Sequence, residues 1–167
     1  MERRCPNCDQ PYVQRANREG RLDRLLSAFY VYPFRCQLCT HRFHAIEWGR
    51  RYAHEPVDQR QYERFEVQCP AWFSVGQKQG PDLEGEATVT DLSMGGCGLD
   101  TRFLFEPGML LRLKIQTWED QLPVTVKSAV VRVVRPRTVG IEFLDVPPAD
   151  KERLSQFVKG LLLLSRR

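Results

Sequence analysis

The alternation of hydrophobic and polar residues changes character at Phe65 of this 167-residue chain. From there onward, short runs alternate apolar with polar positions and are separated by Gly, Pro, Asp or Glu. A period of two is typical of strands that bury one face. The runs are FEVQCPAWFSV, EATVTDLS, GCGLDTRF, MLLRLKIQTW, LPVTVKSAVVRVV and TVGIEFL. Several short strands with turn residues between them predict a mainly β fold, a small antiparallel barrel.

The segment after Pro147 and Pro148 changes to a helical period. Residues 149–164 predict a helix with a broad apolar face, formed by Leu154, Phe157, Val158, Leu161, Leu162 and Leu164. We expect this C-terminal helix to cover an open end of the barrel. A dimerisation helix is the alternative, so the sequence leaves a monomer or a dimer open.

The first third of the chain is patterned differently. Residues 18–29 predict either a helix or a strand pair. As a helix, they would carry one apolar stripe made of Leu22, Leu25, Leu26 and Phe29. Residues 49–64 are polar and charged without an apolar period, which predicts a linker. The predicted organisation is therefore a small domain at 1–48, a linker at 49–64 and a barrel with its helix at 65–167.

Composition narrows the class of protein. The chain is 42% hydrophobic and 28% charged, which is ordinary for a soluble globular protein. An apolar run of about 18 residues, as a membrane span needs, is missing from the sequence. The first residues also lack the apolar core of a secretory signal. We therefore expect a cytoplasmic protein.

Positive charge is concentrated in the first third of the chain. Residues 1–54 contain ten arginines, no lysine and five acidic residues, whereas the remainder carries a net charge of −1. A basic segment of this kind favours a nucleic acid or an acidic protein as partner. The alternative is a solvated basic face without a partner.

Four of the six cysteines form two CxxC pairs, Cys5 with Cys8 and Cys36 with Cys39. Two intervening residues let both sulfurs of a pair reach one metal ion, and two pairs complete a tetrahedron with Zn–S bonds of about 2.3 Å. Four thiolates leave no open position, so we expect structural Zn²⁺ that stabilises a piece too small to fold easily alone. An iron site and a redox dithiol are the alternatives.

The segment 33–43, PFRCQLCTHRF, resembles the second knuckle of a zinc ribbon. Ribbons bind nucleic acid, bind proteins or serve as scaffolds, and the resemblance does not choose among these roles. His41 and His44 follow the knuckle and could replace a cysteine, but four cysteines make surface or supporting roles the expectation. Cys69 and Cys97 lie among apolar strand residues and are expected to be buried as small hydrophobic side chains.

A second group of residues predicts a site for an anionic guanine nucleotide. Arg60 and Arg64 lie four positions apart in the polar linker. The planar guanidinium donates two bonds to a phosphate or to the O6/N7 edge of guanine. In DLSMGG, Asp91 and Ser93 share one strand face. A carboxylate there can accept from guanine N1–H and its amino group, and Gly95 and Gly96 allow a sharp turn or a close approach. The alternatives are that both arginines are solvated linker charges and that Asp91 and Ser93 bond the local backbone of a plain turn.

Over residues 59–164 the chain resembles the PilZ domain, a bacterial receptor module for cyclic di-GMP. The motifs that carry the resemblance are RxxxR, DxSxxG, a Gly-[Ile/Val]-x-Phe strand and a closing helix, here Arg60 and Arg64, Asp91/Ser93/Gly96, Gly140-Ile141-Glu142-Phe143 and residues 149–164. The resemblance implies a six-stranded barrel without catalytic activity. It also implies that both arginines contact phosphates and guanine, and that the DxSxxG residues surround a guanine.

Two positions bear on the strength of that resemblance. Gln59 stands where many family members have a further arginine, which affects affinity or whether one ligand or a stacked pair binds. Arg135, near the end of a strand, is a candidate for an extra contact.

The function predicted from the sequence is a cyclic di-GMP receptor that changes the arrangement of ribbon and barrel to signal to a protein partner. The alternative is a zinc-ribbon regulator that binds nucleic acid or protein, with a barrel that binds ligand weakly or not at all. An enzyme is not expected, because the three histidines form no evident nucleophile or acid–base arrangement and no phosphate-binding glycine motif occurs.

Overall fold

The structure is a computed structural model that describes residues 3–49, 51, 61–76 and 82–165. The chain divides into two compact units, Met1–Glu63 and Arg64–Arg167. Within the described residues, no helix is both long enough and apolar enough to cross a bilayer.

The first unit is a small antiparallel sheet with one helix among its described residues. Its elements are β1 (Val13–Arg15), α1 (Gly20–Ala28), β2 (Val31–Cys36) and β3 (Arg42–Ile46). The sheet order is β1-β2-β3, with Gln14 opposite Arg35 and Phe34 opposite Phe43. The cysteine pairs therefore lie before β1 and at the turn that joins β2 to β3.

Helix α1 decides between the two predictions for residues 18–29, but its apolar stripe does not face the sheet. Leu22, Leu25 and Phe29 are exposed by 65%, 66% and 73%, whereas Asp23 is 2% exposed. The Asp23 carboxylate lies 2.8 Å from His44 Nε2, and it accepts from Arg42 at 2.6 Å and from the Glu19 N–H at 2.6 Å. A buried carboxylate needs such partners, so the helix turns its acidic residue inward.

We expect the buried Asp23 carboxylate to raise the free energy of unfolding of the first unit by an amount that does not change with pH near neutrality. Burial raises the pKa of Asp23, but the bonds from His44, Arg42 and the Glu19 N–H outweigh it and lower the pKa to about 2. Because the folded pKa lies below the unfolded value, the contribution is complete above about pH 5 and is lost as the pH falls through about 2. Asp23→Asn should therefore destabilise this unit by about 2 kcal/mol at pH 7.

Urea denaturation, followed by the NMR signals of residues 3–49, measures this loss. Asp9→Asn is the matched control, because Asp9 pairs with Arg4 on the surface and an exposed pair contributes about 0–1 kcal/mol. A difference between wild type and Asp23→Asn that shrinks between pH 7 and pH 5.5 would show that another group carries the effect.

The second unit is the predicted barrel. Its strands are β4 (Phe65–Val75), β5 (Leu83–Ser93), β6 (Gly96–Asp100), β7 (Leu110–Ile115), β8 (Val124–Val134) and β9 (Val139–Asp145). They form a closed antiparallel barrel in the order β4-β5-β6-β9-β8-β7. The mainly β fold with a six-stranded barrel is thus confirmed for the described residues. The largest fully buried barrel side chains are Val89, Leu92, Leu99, Leu113, Ile115, Val124, Val126, Val131 and Ile141.

The C-terminal helix α2 (Pro148–Ser165) packs against the barrel strand β8. It buries Leu154, Phe157, Val158 and Leu162. The Phe157 ring meets Trp118 edge-on, with 5.1 Å between ring centroids. Asp150 in the first turn accepts from the Thr125 N–H at 2.9 Å and pairs with Arg153. The helix therefore uses most of its predicted apolar face within its own unit, although Leu164 is exposed.

Candidate functional site

The four cysteines of the CxxC pairs converge in the first unit. Their sulfur atoms all lie within 4.8 Å of one another. The shortest described separations are 3.5 Å between Cys5 and Cys39 and 3.6 Å between Cys8 and Cys36. A tetrahedron with Zn–S bonds of about 2.3 Å has sulfur–sulfur edges of about 3.8 Å. The cluster therefore has the size and donor set that a four-thiolate metal site requires.

The sulfurs have different surroundings, because burial raises the pKa of the Cys8 and Cys36 thiols whereas the pKa of Cys39 is lowered. The Leu38 N–H points at the Cys36 sulfur from 3.5 Å. Burial raises the pKa of Cys39, but bonds from the Asn7 side chain and the His41 backbone outweigh it and lower the pKa to about 7. Both pairs end in the same backbone geometry, because Asp9 and Thr40 follow them with φ of 53° and 65°. These features fit a zinc ribbon, and the cysteines could hold a metal ion.

The two histidines near the second pair lie outside the cluster. His44 is bonded to Asp23, and the His41 ring stacks on Phe43 with 6.1 Å between centroids. Among the described residues, the candidate metal ligands at this site are therefore the four cysteines.

The DLSMGG motif forms the hairpin between β5 and β6. Asp91 lies beyond a bulge in β5 and pairs with Gly98, and Ser93 pairs with Gly96 at the turn. The buried Ser93 hydroxyl donates to the Gly96 carbonyl at 3.1 Å and accepts from the Gly95 N–H at 3.4 Å. In this structure the hydroxyl is therefore part of the turn itself.

Gly96 is required by the close approach of the neighbouring strand. A Cβ at Gly96 would lie 2.2 Å from the Ile141 carbonyl oxygen, which belongs to the backbone of β9. A side chain there would force β6 and β9 apart. Gly96 is therefore needed for the pairing of β6 with β9, independently of any contact with a ligand.

Gly98 also shapes this site, although it belongs to none of the motifs named above. A Cβ there would lie 2.2 Å from the Asp91 Oδ2 atom and 3.0 Å from the Thr138 methyl carbon. The bare glycine therefore leaves the room that the Asp91 carboxylate occupies. The available signal was a glycine inside a predicted strand, which often marks a close approach.

The second arginine of RxxxR reaches the first residue of DxSxxG. Arg64 Nη1 donates to Asp91 Oδ1 at 2.8 Å, and the two side chains are 33% and 27% exposed. The pair is thus accessible from solvent. The other predicted arginine, Arg60, lies outside the described residues, as does Gln59.

An open depression adjoins this ion pair. It has a volume of about 670 Å³ and is lined by Glu66, Val67, Gln68, Thr90 and Asp91. Arg135 lies at the turn between β8 and β9, where its N–H bonds the Thr138 carbonyl at 3.0 Å. Since the Thr138 methyl lies near Gly98, this turn belongs to the same end of the barrel as Asp91.

The two remaining cysteines are buried in the barrel, as predicted. Cys97 is 0% and Cys69 is 6% exposed. Burial raises the pKa of both thiols, and for Cys97 the nearby Asp91 charge raises it further. Both are therefore thiols of low reactivity that fill the core.

Two solved structures similar to this chain share its fold, with TM-scores above 0.5. The inhibitor of motility MotI/DgrA of Bacillus subtilis matches with a TM-score of 0.55 and 21% identity, over 82% of this chain and 70% of that chain. The K. pneumonia MrkH–c-di-GMP complex matches with a TM-score of 0.54 and 18% identity, over 66% of this chain and 55% of that chain. The c-di-GMP-bound PilZ domain of YcgR from Escherichia coli has a TM-score of 0.49 and 17% identity, over 65% of this chain and 95% of that domain.

Comparison with curated proteins found no significant match. The model of the PilZ domain family, in contrast, matches residues 58–160, which is more than half of the chain. The match covers the barrel, the DxSxxG hairpin and most of helix α2. This chain therefore belongs to the PilZ domain family.

Proposed function

We propose that this chain is a receptor for cyclic di-GMP, which it binds at the barrel end that carries Arg64 and Asp91. The observation that carries the proposal is the 2.8 Å bond between these residues, because it joins two motifs that are separated in the sequence. Membership of the PilZ family supports it. The similarity to MrkH, whose structure is a c-di-GMP complex, supports the same ligand.

The ion pair has the chemistry that a guanine dinucleotide needs. Cyclic di-GMP carries two phosphodiester anions, and its guanines present donors at N1 and the amino group. On binding, Arg64 exchanges the Asp91 carboxylate for a phosphate or a guanine edge. Asp91 then accepts from a guanine. Arg60 supplies the second guanidinium, and Ser93, Gly95 and Gly96 form the turn beside the base.

The proposed architecture follows the predicted division into a ribbon at 1–48, a linker at 49–64 and a barrel at 65–167. The four cysteines hold Zn²⁺, which organises the ribbon. When the linker arginines bind the ligand, the linker moves with them, and the ribbon changes its arrangement relative to the barrel. A downstream protein that recognises one arrangement reads the ligand concentration. Identical small-angle scattering profiles with and without bound ligand would contradict this movement.

Isothermal titration of the metal-loaded protein with cyclic di-GMP tests the receptor function directly. Saturable binding is expected, and its stoichiometry distinguishes one ligand from a stacked pair. GMP is the matched control, since it has the base but lacks the second nucleotide. Absence of binding at millimolar cyclic di-GMP would contradict the proposal.

Gly98→Ala is expected to weaken cyclic di-GMP binding about tenfold, the range of one charge-assisted hydrogen bond. The new methyl would displace the Asp91 carboxylate from the position that it holds beside Arg64. The barrel should stay folded, because the displaced atoms are the free end of a side chain. Gly76→Ala is the control, since a Cβ there meets Asp82 at an ordinary 3.8 Å. Calorimetry that finds equal affinities for both variants would contradict the role of Asp91.

The alternative is a regulator that binds nucleic acid through the basic first unit. Several of its arginines already have internal partners. Arg3 lies over the Phe34 ring at 3.8 Å, Arg15 lies over Tyr32 at 5.1 Å, and Arg42 pairs with Asp23. We therefore favour the receptor, and a salt-dependent shift of DNA or RNA would favour the alternative.

A further inference from the structure

A residue between the cysteines of the second CxxC pair hydrogen-bonds the backbone of residues 61–63, the spacer between the arginines of RxxxR. Gln37, between Cys36 and Leu38 in the chain, is only 3% exposed. Its side-chain oxygen accepts from the Glu63 N–H at 2.8 Å, and its side-chain nitrogen donates to the Gln61 carbonyl at 3.4 Å. One buried amide thus bonds the backbone on both sides of Tyr62.

Two further side chains of the first unit hold the same segment. Arg35 Nη1 donates to the Tyr62 hydroxyl at 3.1 Å, and its guanidinium lies 5.5 Å from the ring centroid. Gln14 Nε2 donates to the Glu63 carboxylate at 2.8 Å. Gln14 and Arg35 are opposite each other on β1 and β2. We call Gln14, Arg35 and Gln37 the clasp.

The orientation of Gln37 comes from the knuckle. Its own N–H donates to the Tyr12 carbonyl at 2.8 Å, and the neighbouring Cys36 N–H donates to the His41 carbonyl at 3.0 Å. These backbone bonds fix the turn that presents the Gln37 amide. The same turn positions the Cys36 and Cys39 sulfurs, so the shape of the cysteine cluster and that of the clasp depend on one another.

We propose that Gln37 is a positioning residue for the arginine clamp, since the clasp fixes the RxxxR spacer before the ligand arrives. This inference rests on the proposed function. A free linker would lose backbone entropy when both arginines engage one ligand, about 1–2 kcal/mol per residue. A spacer already bound to the ribbon has lost that freedom in advance, which raises affinity by preorganisation. The clasp ends at Glu63, and the next residue is Arg64.

Gln37→Met tests the inference, because methionine has a similar length and volume but cannot form either hydrogen bond. Cyclic di-GMP should bind about tenfold more weakly to the full, metal-loaded variant. The Glu63 amide should exchange with solvent at least about tenfold faster than in wild type. Metal content should stay as in wild type. The exchange rate of the backbone N–H of residue 37, which is bonded to the Tyr12 carbonyl, should also be unchanged.

Gln10→Met is the matched control. Gln10 lies two residues past the first CxxC pair, where its backbone carbonyl accepts from the Cys5 N–H at 3.0 Å. This variant should bind like wild type. Gln14→Ala is a second test of the clasp. Because Gln14 is exposed, this substitution should leave the first unit folded. It removes the bond to the Glu63 carboxylate and should weaken binding about threefold.

The outcomes separate this inference from the proposed function. Equal affinity of wild type, Gln37→Met and Gln14→Ala would overturn the inference alone, and so would tighter binding by either variant. Failure of the wild-type protein to bind cyclic di-GMP would overturn the proposed function and the inference with it.

Discussion

Arg64→Ala is expected to weaken cyclic di-GMP binding about 10-fold to over 100-fold, because a hydrogen bond to a charged group contributes about 1.5–3 kcal/mol. The truncated side chain would leave the ligand phosphate or guanine edge with one guanidinium fewer. The fold should change little, since a partly exposed ion pair contributes about 0–1 kcal/mol. Calorimetry on the metal-loaded protein measures the loss.

The barrel offers a matched control for this substitution. Arg112 on β7 pairs with Asp82 at 2.8 Å and is 63% exposed, so Arg112→Ala removes a similar surface ion pair elsewhere. Its affinity should equal that of wild type. Arg64→Lys keeps the charge without the planar fork and should bind at an intermediate level. Unchanged affinity of a folded Arg64→Ala protein would show that the assigned clamp is wrong.

Removal of metal with a strong chelator is expected to unfold the first unit and leave the barrel folded. Structural zinc binding contributes about 10–16 kcal/mol in small domains, more than the whole stability of many domains, which is about 5–15 kcal/mol. The second unit has a closed barrel and its own buried core. NMR signals of residues 3–49 should collapse while those of residues 82–165 stay dispersed.

Cys8→Ser provides the genetic counterpart of metal removal. It removes one of the four candidate ligands and should lower metal content and the stability of the first unit together. Cys69→Ala is the control, because Cys69 is buried in β4 of the second unit. A first unit that keeps its full set of dispersed signals after complete metal loss would contradict a structural role for the ion.

The barrel strands could be predicted because the pattern that identifies each strand lies within a few consecutive residues. Alternation within each run identifies a strand, and FEVQCPAWFSV coincides with β4 from Phe65 to Val75. The same holds for the closing helix, predicted at 149–164 and observed as Pro148–Ser165. Likewise, the CxxC spacing identified the four cysteines that converge in the structure.

Other features needed the folded chain, because they depend on residues that are far apart in sequence. The apolar stripe of α1 gave no sign that Asp23 would face inward, since its partners Arg42 and His44 come from β3. The space at Gly98 matters only once the hairpin brings it beside Asp91.

The strands along the chain, the closing helix and the cysteine set could be predicted before folding was considered, because periodicity and short spacings carry that information. The contact of Arg64 with Asp91 and the bond from the Glu63 N–H to Gln37 are known from the folded chain alone. A side chain that bonds a backbone N–H 26 residues away, or another side chain 27 residues away, leaves no periodic trace in the sequence. Such bonds arise when backbone pairing brings their elements together.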